Sequence, residues 1–236
     1  MPRPNILLRH GIQTHDVCVL IPAYNEEKNI TRIVEAVKKL GVSVLVVDDG
    51  SRDETPLKIK SLDVHAILSS VNEGKGASLR KGFEWFLGQN YSALVMMDAD
   101  GQHDPEELPL FIKALEQEGT DLVVGNRMGN PQNMPALRRI TNRFMSSVIS
   151  LIARQPIPDT QCGYRAIRRQ ALEKIKLHTT NFEIESEMLL EAARHKLGIR
   201  SVAIRSVYEG GHSHIHPLPD TMRFFKFLIE FLLHRR

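Results

Sequence analysis

Between residues 17 and 126, short β-branched runs take turns with segments of helical periodicity, and a parallel sheet laid down by βαβ crossovers is the arrangement that accepts this pattern. Strands are expected at 17–21, 43–48, 66–69, 93–98 and 122–126, with helices near 27–40, 75–87 and 105–118. The third helix carries its own start signal. Asp104 is placed to cap it, Pro105 takes the first helical position, and Glu106 and Glu107 sit in the first turn, where the helix dipole favours acids. Gly41 and Gly119 stand where helices stop. Past Asn126 the alternation breaks at Gly129, Pro131 and Pro135. A helix over 138–153 closed by Pro156 and Pro158, a helix over 183–195, a strand over 199–207, a His-rich loop and a helix from Thr221 finish the chain. The expected fold is α/β, a mostly parallel Rossmann-like sheet flanked by helices. One domain is expected over 17–211, with an extension at 1–16 and a tail at 212–236.

Composition excludes more than it assigns. Lys and Arg number 31 against 28 Asp and Glu, and the small excess is spread along the chain, whereas a nucleic-acid binder concentrates a basic face. No nucleic-acid partner is expected. Cys18 and Cys162 are the two cysteines, without the spacing of a zinc site or a disulfide framework. The apolar triplet at 6–8 is too brief for a signal-peptide core, and no apolar stretch reaches the roughly 18 residues of a membrane helix. The expected place is the cytoplasm, with peripheral attachment to the inner face of the membrane if the tail supplies it.

In an open parallel sheet, ligands bind outside the carboxyl ends of the strands, so acids just past those ends are the first candidates. Asp48 and Asp49 follow one apolar run, and Asp98, Asp100 and Gln102 follow another. Two carboxylates two residues apart can aim at one point, and hard oxygen donors suit Mg2+ or Mn2+, which also ligate phosphate oxygens. Asp-rich turns also start helices, so the pattern alone leaves both readings open. The stretch Asn72-Glu73-Gly74-Lys75-Gly76 offers a helix start, glycine-permitted amides and the Lys75 ammonium to a phosphate, without full P-loop spacing. Pro22 ends the first strand, and Tyr24 is placed to border a base.

Together these segments resemble the family 2 glycosyltransferases of the GT-A fold, in particular the dolichol-phosphate mannosyltransferase-like branch that loads polyprenyl phosphates with sugar. The segments are 21–26 (Ile-Pro-Ala-Tyr-Asn-Glu), 47–51 (Val-Asp-Asp-Gly-Ser), 72–76, 98–103 (Asp-Ala-Asp-Gly-Gln-His), 125–127 (Gly-Asn-Arg) and 159–165 (Asp-Thr-Gln-Cys-Gly-Tyr-Arg), in the family's order. The resemblance implies inverting transfer from a nucleoside-diphosphate sugar. It puts Pro22, Tyr24, Glu26, Asp48 and Asp49 around the nucleoside, and Asp98, Asp100 and Gln102 on the metal. It makes Arg127 a phosphate-facing cation, with Arg138 and Arg139 as further anion contacts.

The acceptor decides which residues catalysis needs. A sugar hydroxyl wants a carboxylate base, whereas a lipid phosphate is already ionised near neutral pH. Asp159 is the expected base or sugar-orienting acid. Glu183, Glu185 and Glu187 form a second acid group that a helix would splay and a strand would align, with Glu185 a sugar-hydroxyl or structural acid. His212, Ser213 and His214 lack the closed ligand set of a structural zinc and are read as diphosphate or lid contacts. From 223 to 234, Arg223, Lys226, Glu230 and His234 make one narrow polar stripe on an otherwise apolar helix, which suits a membrane interface, a dimer or a core. The rival readings are a transferase with a saccharide or protein hydroxyl acceptor, and a nucleotide-sugar-binding protein without turnover.

Overall fold

The computed structural model describes residues 11–129, 134–205 and 217–233, and side-chain statements leave out 217–223 and 232. In chain order the elements are β1 (Val17–Ala23), α1 (Ile30–Lys38), β2 (Ser43–Asp48), α2 (Thr55–Ser61), β3 (His65–Leu68), α3 (Lys75–Leu87) and β4 (Ala93–Met96). Then come α4 (Leu108–Leu115), β5 (Leu122–Asn126), α5 (Ala136–Ala153), β6 (Arg165–Arg168), α6 (Arg169–Leu172), α7 (Glu183–Arg194), β7 (Ile199–Ala203) and α8 (Pro217–Leu233). The seven strands form one sheet in the order β3-β2-β1-β4-β6-β5-β7. Among the described strands, only β6 runs antiparallel to its neighbours, β4 and β5.

The central strands read as unbroken apolar runs because helices cover both faces of the sheet, so no position faces water. Val17 to Ile21 and Leu45 to Val47 are all fully buried. Ile30, Ile33, Val34 and Val37 recur at helical spacing on α1 and bury that face in the same core. The cap expected of Asp104 is present: its Oδ1 accepts from the Glu106 N–H at 3.0 Å. The turn it opens is a 3-10 segment, Pro105–Glu107, leading into α4.

Several expectations change. The strand expected at 199–207 ends at Ala203, and residues from 206 lie outside the described ones. The helix expected from 27 begins at Ile30, after a turn in which Asn29 N–H donates to Glu26 O. Helix α2, strand β6 and helix α6 were not expected. β6 escapes a search for apolar runs because it is four residues long and begins and ends in arginine. Arg165 is nevertheless fully buried, its charge met by backbone carbonyls.

β1 lies between β2 and β4, all parallel, and the chain reaches β4 only after running out to the edge strand β3. The order therefore reverses at β1, and the crevice beyond Ala23 and Met96 is the place where this architecture holds a ligand.

Candidate active site

Met97 N–H donates to Leu20 O at 3.0 Å, so the ladder carries Asp98 to the edge of that crevice. Beyond it the chain turns back through Gly101, at φ 77°. The Asp98 N–H donates to His103 Nδ1 at 3.3 Å, and Asp100 Oδ1 accepts from the Gln102 N–H at 2.9 Å. Burial pushes the His103 pKa down against the pull of Asp98 and Asp100, in keeping with a neutral ring whose Nδ1 accepts.

Lys75 does not face open space. Its Nζ lies 2.5 Å from Asp98 Oδ1 and 2.6 Å from Glu185 Oε1, and 5.8 Å from the centre of the Phe182 ring. The three side chains are 16%, 26% and 10% exposed, so the cluster sits at the wall of the cleft rather than beneath it. Burial would raise the Asp98 carboxyl, but the adjacent ammonium outweighs it and holds the group well below the usual carboxylate range. Burial likewise disfavours the charged lysine, and the two carboxylates more than restore it. Two of the amides expected to cradle a phosphate at 72–76 are engaged within the protein. The Glu73 and Gly74 N–H groups donate to the two Asp49 oxygens at 3.0 and 2.8 Å, and the Ala77 N–H donates to Thr180 O at 3.0 Å.

Arg127 and Asp159 form a second, sealed cluster. Arg127 Nε and Nη2 meet Asp159 Oδ2 and Oδ1 at 2.8 and 3.0 Å, and the Arg127 N–H adds a third bond at 3.1 Å. Their side chains are 4% and 0% exposed. The base role expected of Asp159 does not fit this geometry, because both oxygens are held by a cation and neither reaches the cleft; a positioning role fits. Arg127 also donates to Gln161 O at 2.8 Å, so it orders the 159–163 turn rather than standing open to a phosphate.

On the nucleoside side, the loops after β1 and β2 are laced together. Asn25 N–H donates to Ser51 Oγ, Glu26 N–H to Thr55 Oγ1, and Glu27 N–H to Asp53 Oδ2. Asp48 Oδ2 accepts from the Ser51 N–H at 3.1 Å, while its Oδ1 is buried with no hydrogen-bond partner among the described residues. Tyr24 is exposed at the rim. Burial, opposed by a hydrogen bond from Asn29 and then reinforced by Asp100, Asp53 and Asp98, raises Glu26 to about 7.

A void of about 10 Å³, room for about one water, lies at the switch point between the apolar Leu79, Met96, Ile184 and Met188 and the side formed by Pro22, Lys75, Asp98, Glu185, Gly163 and Arg165. The last two carried no assigned role in the sequence, though both belong to the 159–165 segment. A Cβ on Gly163 would meet the Asp98 carboxylate at 2.4 Å, so a side chain there would displace that group. Helix α7 splays the acid group: Glu185 enters the cleft, while Glu187 turns away to accept from the His178 and Thr179 N–H groups. Arg138 and Arg139 stand half-buried in the first turn of α5. His212, Ser213 and His214 lie outside the described residues.

The donor set fits a hard divalent cation. Asp98 is ionised, Asp100 is exposed on the same turn, and the amide oxygen of Gln102 is of the same hard class. Among the described residues no three His, Cys, Asp or Glu side chains are grouped to hold a metal by themselves, so a bound ion would take its remaining ligands from Gln102, water or a diphosphate.

Residues 18–176 match the model of the family described as "Glycosyl transferase family 2". Polyprenol monophosphomannose synthase of Mycolicibacterium smegmatis is 39% identical over 175 residues, covering 70% of this chain and 66% of that protein. UDP-N-acetylglucosamine–dolichyl-phosphate N-acetylglucosaminyltransferase of Methanococcus voltae is 32% identical over 219 residues, covering 81% and 86%. Among solved structures, glucosyl-3-phosphoglycerate synthase from Mycobacterium tuberculosis, in complex with Mn2+, UDP and phosphoglyceric acid, superposes with a TM-score of 0.70 at 19% identity. It covers 93% of this chain and 78% of that one. That likeness extends to the fold.

Proposed function

Because the chain belongs to glycosyl transferase family 2, and is thus a glycosyltransferase, we propose that it moves one sugar from a nucleoside-diphosphate sugar to a polyprenyl phosphate, with inversion at the anomeric carbon. Two relatives carry polyprenol or dolichyl phosphate in their names. The observation that carries the acceptor reading in this chain is the sealing of Asp159 by Arg127. A hydroxyl acceptor must lose a proton to a base, and the acid best placed by sequence for that role is engaged at both oxygens. A phosphate monoester, with its second pKa near 6, is already a nucleophile at neutral pH and needs none.

In this reading an oxygen of the lipid phosphate attacks the anomeric carbon, the bond from that carbon to the diphosphate breaks, and the nucleoside diphosphate leaves with the electron pair. Asp98, Asp100 and Gln102 would hold Mg2+ or Mn2+, which when bound stabilises negative charge on the departing diphosphate. Pro22, Tyr24, Glu26 and Asp48 border the nucleoside, with the bare Asp48 Oδ1 as the acceptor for a base or ribose N–H or O–H. Asp49 braces the wall through Glu73 and Gly74. Arg127, fixed by Asp159, keeps the 159–163 turn against the site, and Arg138 and Arg139 are offered as contacts to the incoming phosphate. The test is a donor panel with polyprenyl phosphate, the matching polyprenol and a saccharide as acceptors. Sugar should appear on the phosphate alone, with the anomeric configuration opposite to the donor's. Transfer to the polyprenol or saccharide instead would overturn the acceptor.

The acceptor places the site at a bilayer, and two helices offer the seat. No described helix is long and apolar enough to cross a membrane. α8 buries Phe224, Phe227 and Leu228 in the core, while Phe225, Ile229 and Leu233 stay exposed. Leu137, Ile140, Phe144 and Leu151 are exposed on α5, and the Phe144 and Phe225 rings are 6.1 Å apart, which joins the two helices into one apolar face. Phe225→Gln with Ile229→Gln should release the protein from anionic vesicles without unfolding it; undiminished sedimentation with vesicles would remove this face from the membrane role.

A further inference from the structure

We propose that Glu185 is a positioning residue for the cation site: by engaging the Lys75 ammonium it leaves Asp98 able to ligate a divalent ion. This rests on the metal reading above, and the experiment separates the two. The start of α3 cannot draw back from Asp98. Gly74, at φ 97°, and Gly76 are pressed so closely on the 179–181 backbone that a Cβ on either would come within 2.6 Å of Thr180. Lys75 is therefore committed to the neighbourhood of Asp98, where it holds Oδ1 at 2.5 Å. A lysine alone with that carboxylate would make a neutral pair and compete with a metal for the same oxygens. With Glu185 at 2.6 Å from the same Nζ, the ammonium is shared between two carboxylates, so neither Asp98 oxygen is committed to it alone.

The placement of Glu185 is built in. Its carbonyl accepts from Arg165 Nη1 at 2.5 Å, and the same buried guanidinium donates to Thr160 O and Cys162 O at 2.8 Å each. One arginine thus ties Glu185 to the segment ending in Gly163, whose bare Cα packs against the Asp98 carboxylate. An ammonium has three N–H donors, so it can serve both acids at once.

The experiment titrates Mn2+ alone into the full chain and reads the free ion by electron paramagnetic resonance. Wild type should bind, and Asp98→Asn should not; equal binding by both would remove the metal reading and this inference with it. Glu185→Gln should weaken Mn2+ binding about tenfold or more. A direct field effect of the lost charge is separated by a double-mutant cycle. In a Lys75→Met background, adding Glu185→Gln should change affinity by no more than about twofold. The full loss persisting without Lys75, or Glu185→Gln binding like wild type while Asp98→Asn does not bind, would overturn the proposal. Should Glu185→Gln not fold, Lys75→Met alone decides: removing the competitor should tighten Mn2+ binding, and weaker or unchanged binding would count against the idea.

Discussion

Two ionic clusters border the cleft, and they differ in both count and access. Arg127 holds both oxygens of Asp159, with side chains 4% and 0% exposed. Lys75 is shared by Asp98 and Glu185 in a cluster that water still reaches. A pair closed off from water answers chiefly to the fold, whereas an open cluster in which one ammonium is shared by two carboxylates can still take a ligand. The first should therefore govern stability and the second chemistry.

The largest effect should come from breaking the enclosed pair. Arg127→Met leaves Asp159 charged and enclosed, and losing one partner of a buried pair costs about 3–5 kcal/mol. For a chain of this size that lowers the melting temperature by roughly 10 °C, whether or not divalent metal is present. Lys75→Met leaves two facing carboxylates, and there added Mn2+ should recover most of whatever stability is lost. Equal behaviour of the two variants in a thermal scan with and without Mn2+ would erase the distinction between the clusters.

Asp100→Ala sharpens the same contrast from the chemical side. Asp100 is exposed, and the one hydrogen bond its carboxylate accepts, from the Gln102 N–H, stays within its own turn. Stability should stay within about 0.5 kcal/mol, the usual range for surface substitutions. Turnover should fall at least about a hundredfold, beyond the 10–100-fold that loss of an outer-shell partner costs. Steady-state rates with saturating donor, beside a urea melt, check both halves.

Most of the open cluster's setting was legible in the sequence, and little of its wiring was. Alternating apolar runs placed β1, β2 and β4, and so put Pro22, Asp48 and Asp98 at strand ends, because burial on both sheet faces writes itself into local composition. That Lys75 turns to Asp98 and Glu185 was not readable, since those contacts span 23 and 110 positions, and an ammonium looks the same in sequence whether it faces a phosphate or a carboxylate. β6 stayed hidden for a related reason. Its arginines read as surface residues, and only the carbonyls of Thr160, Cys162 and Glu185, gathered by the fold, make Arg165 a core residue. The enclosure of Asp159 likewise depends on a partner 32 residues away.

The smallest effect is a pH dependence that reports the Asp98 and Asp100 carboxylates at a distance. Glu26 is raised from 4.5 to about 7, by burial first and, after the opposing bond from Asn29, by Asp100, Asp53 and Asp98. Between those two values the folded state binds a proton that the unfolded chain has already lost. Unfolding then releases protons as pH rises, so the Glu26 contribution to stability falls through that window and is flat below it. Because Glu26 is partly exposed, solvent screens the effect and the slope is shallow. In metal-free buffer, urea midpoints from pH 5 to 8 should decline less steeply in Glu26→Gln than in wild type. A cation held between Asp98 and Asp100 opposes the carboxylates that push Glu26 up, so Mn2+ should flatten the wild-type slope toward that of the variant. A slope in wild type that ignores Mn2+ would mean that the Asp98 and Asp100 carboxylates are not what Glu26 senses.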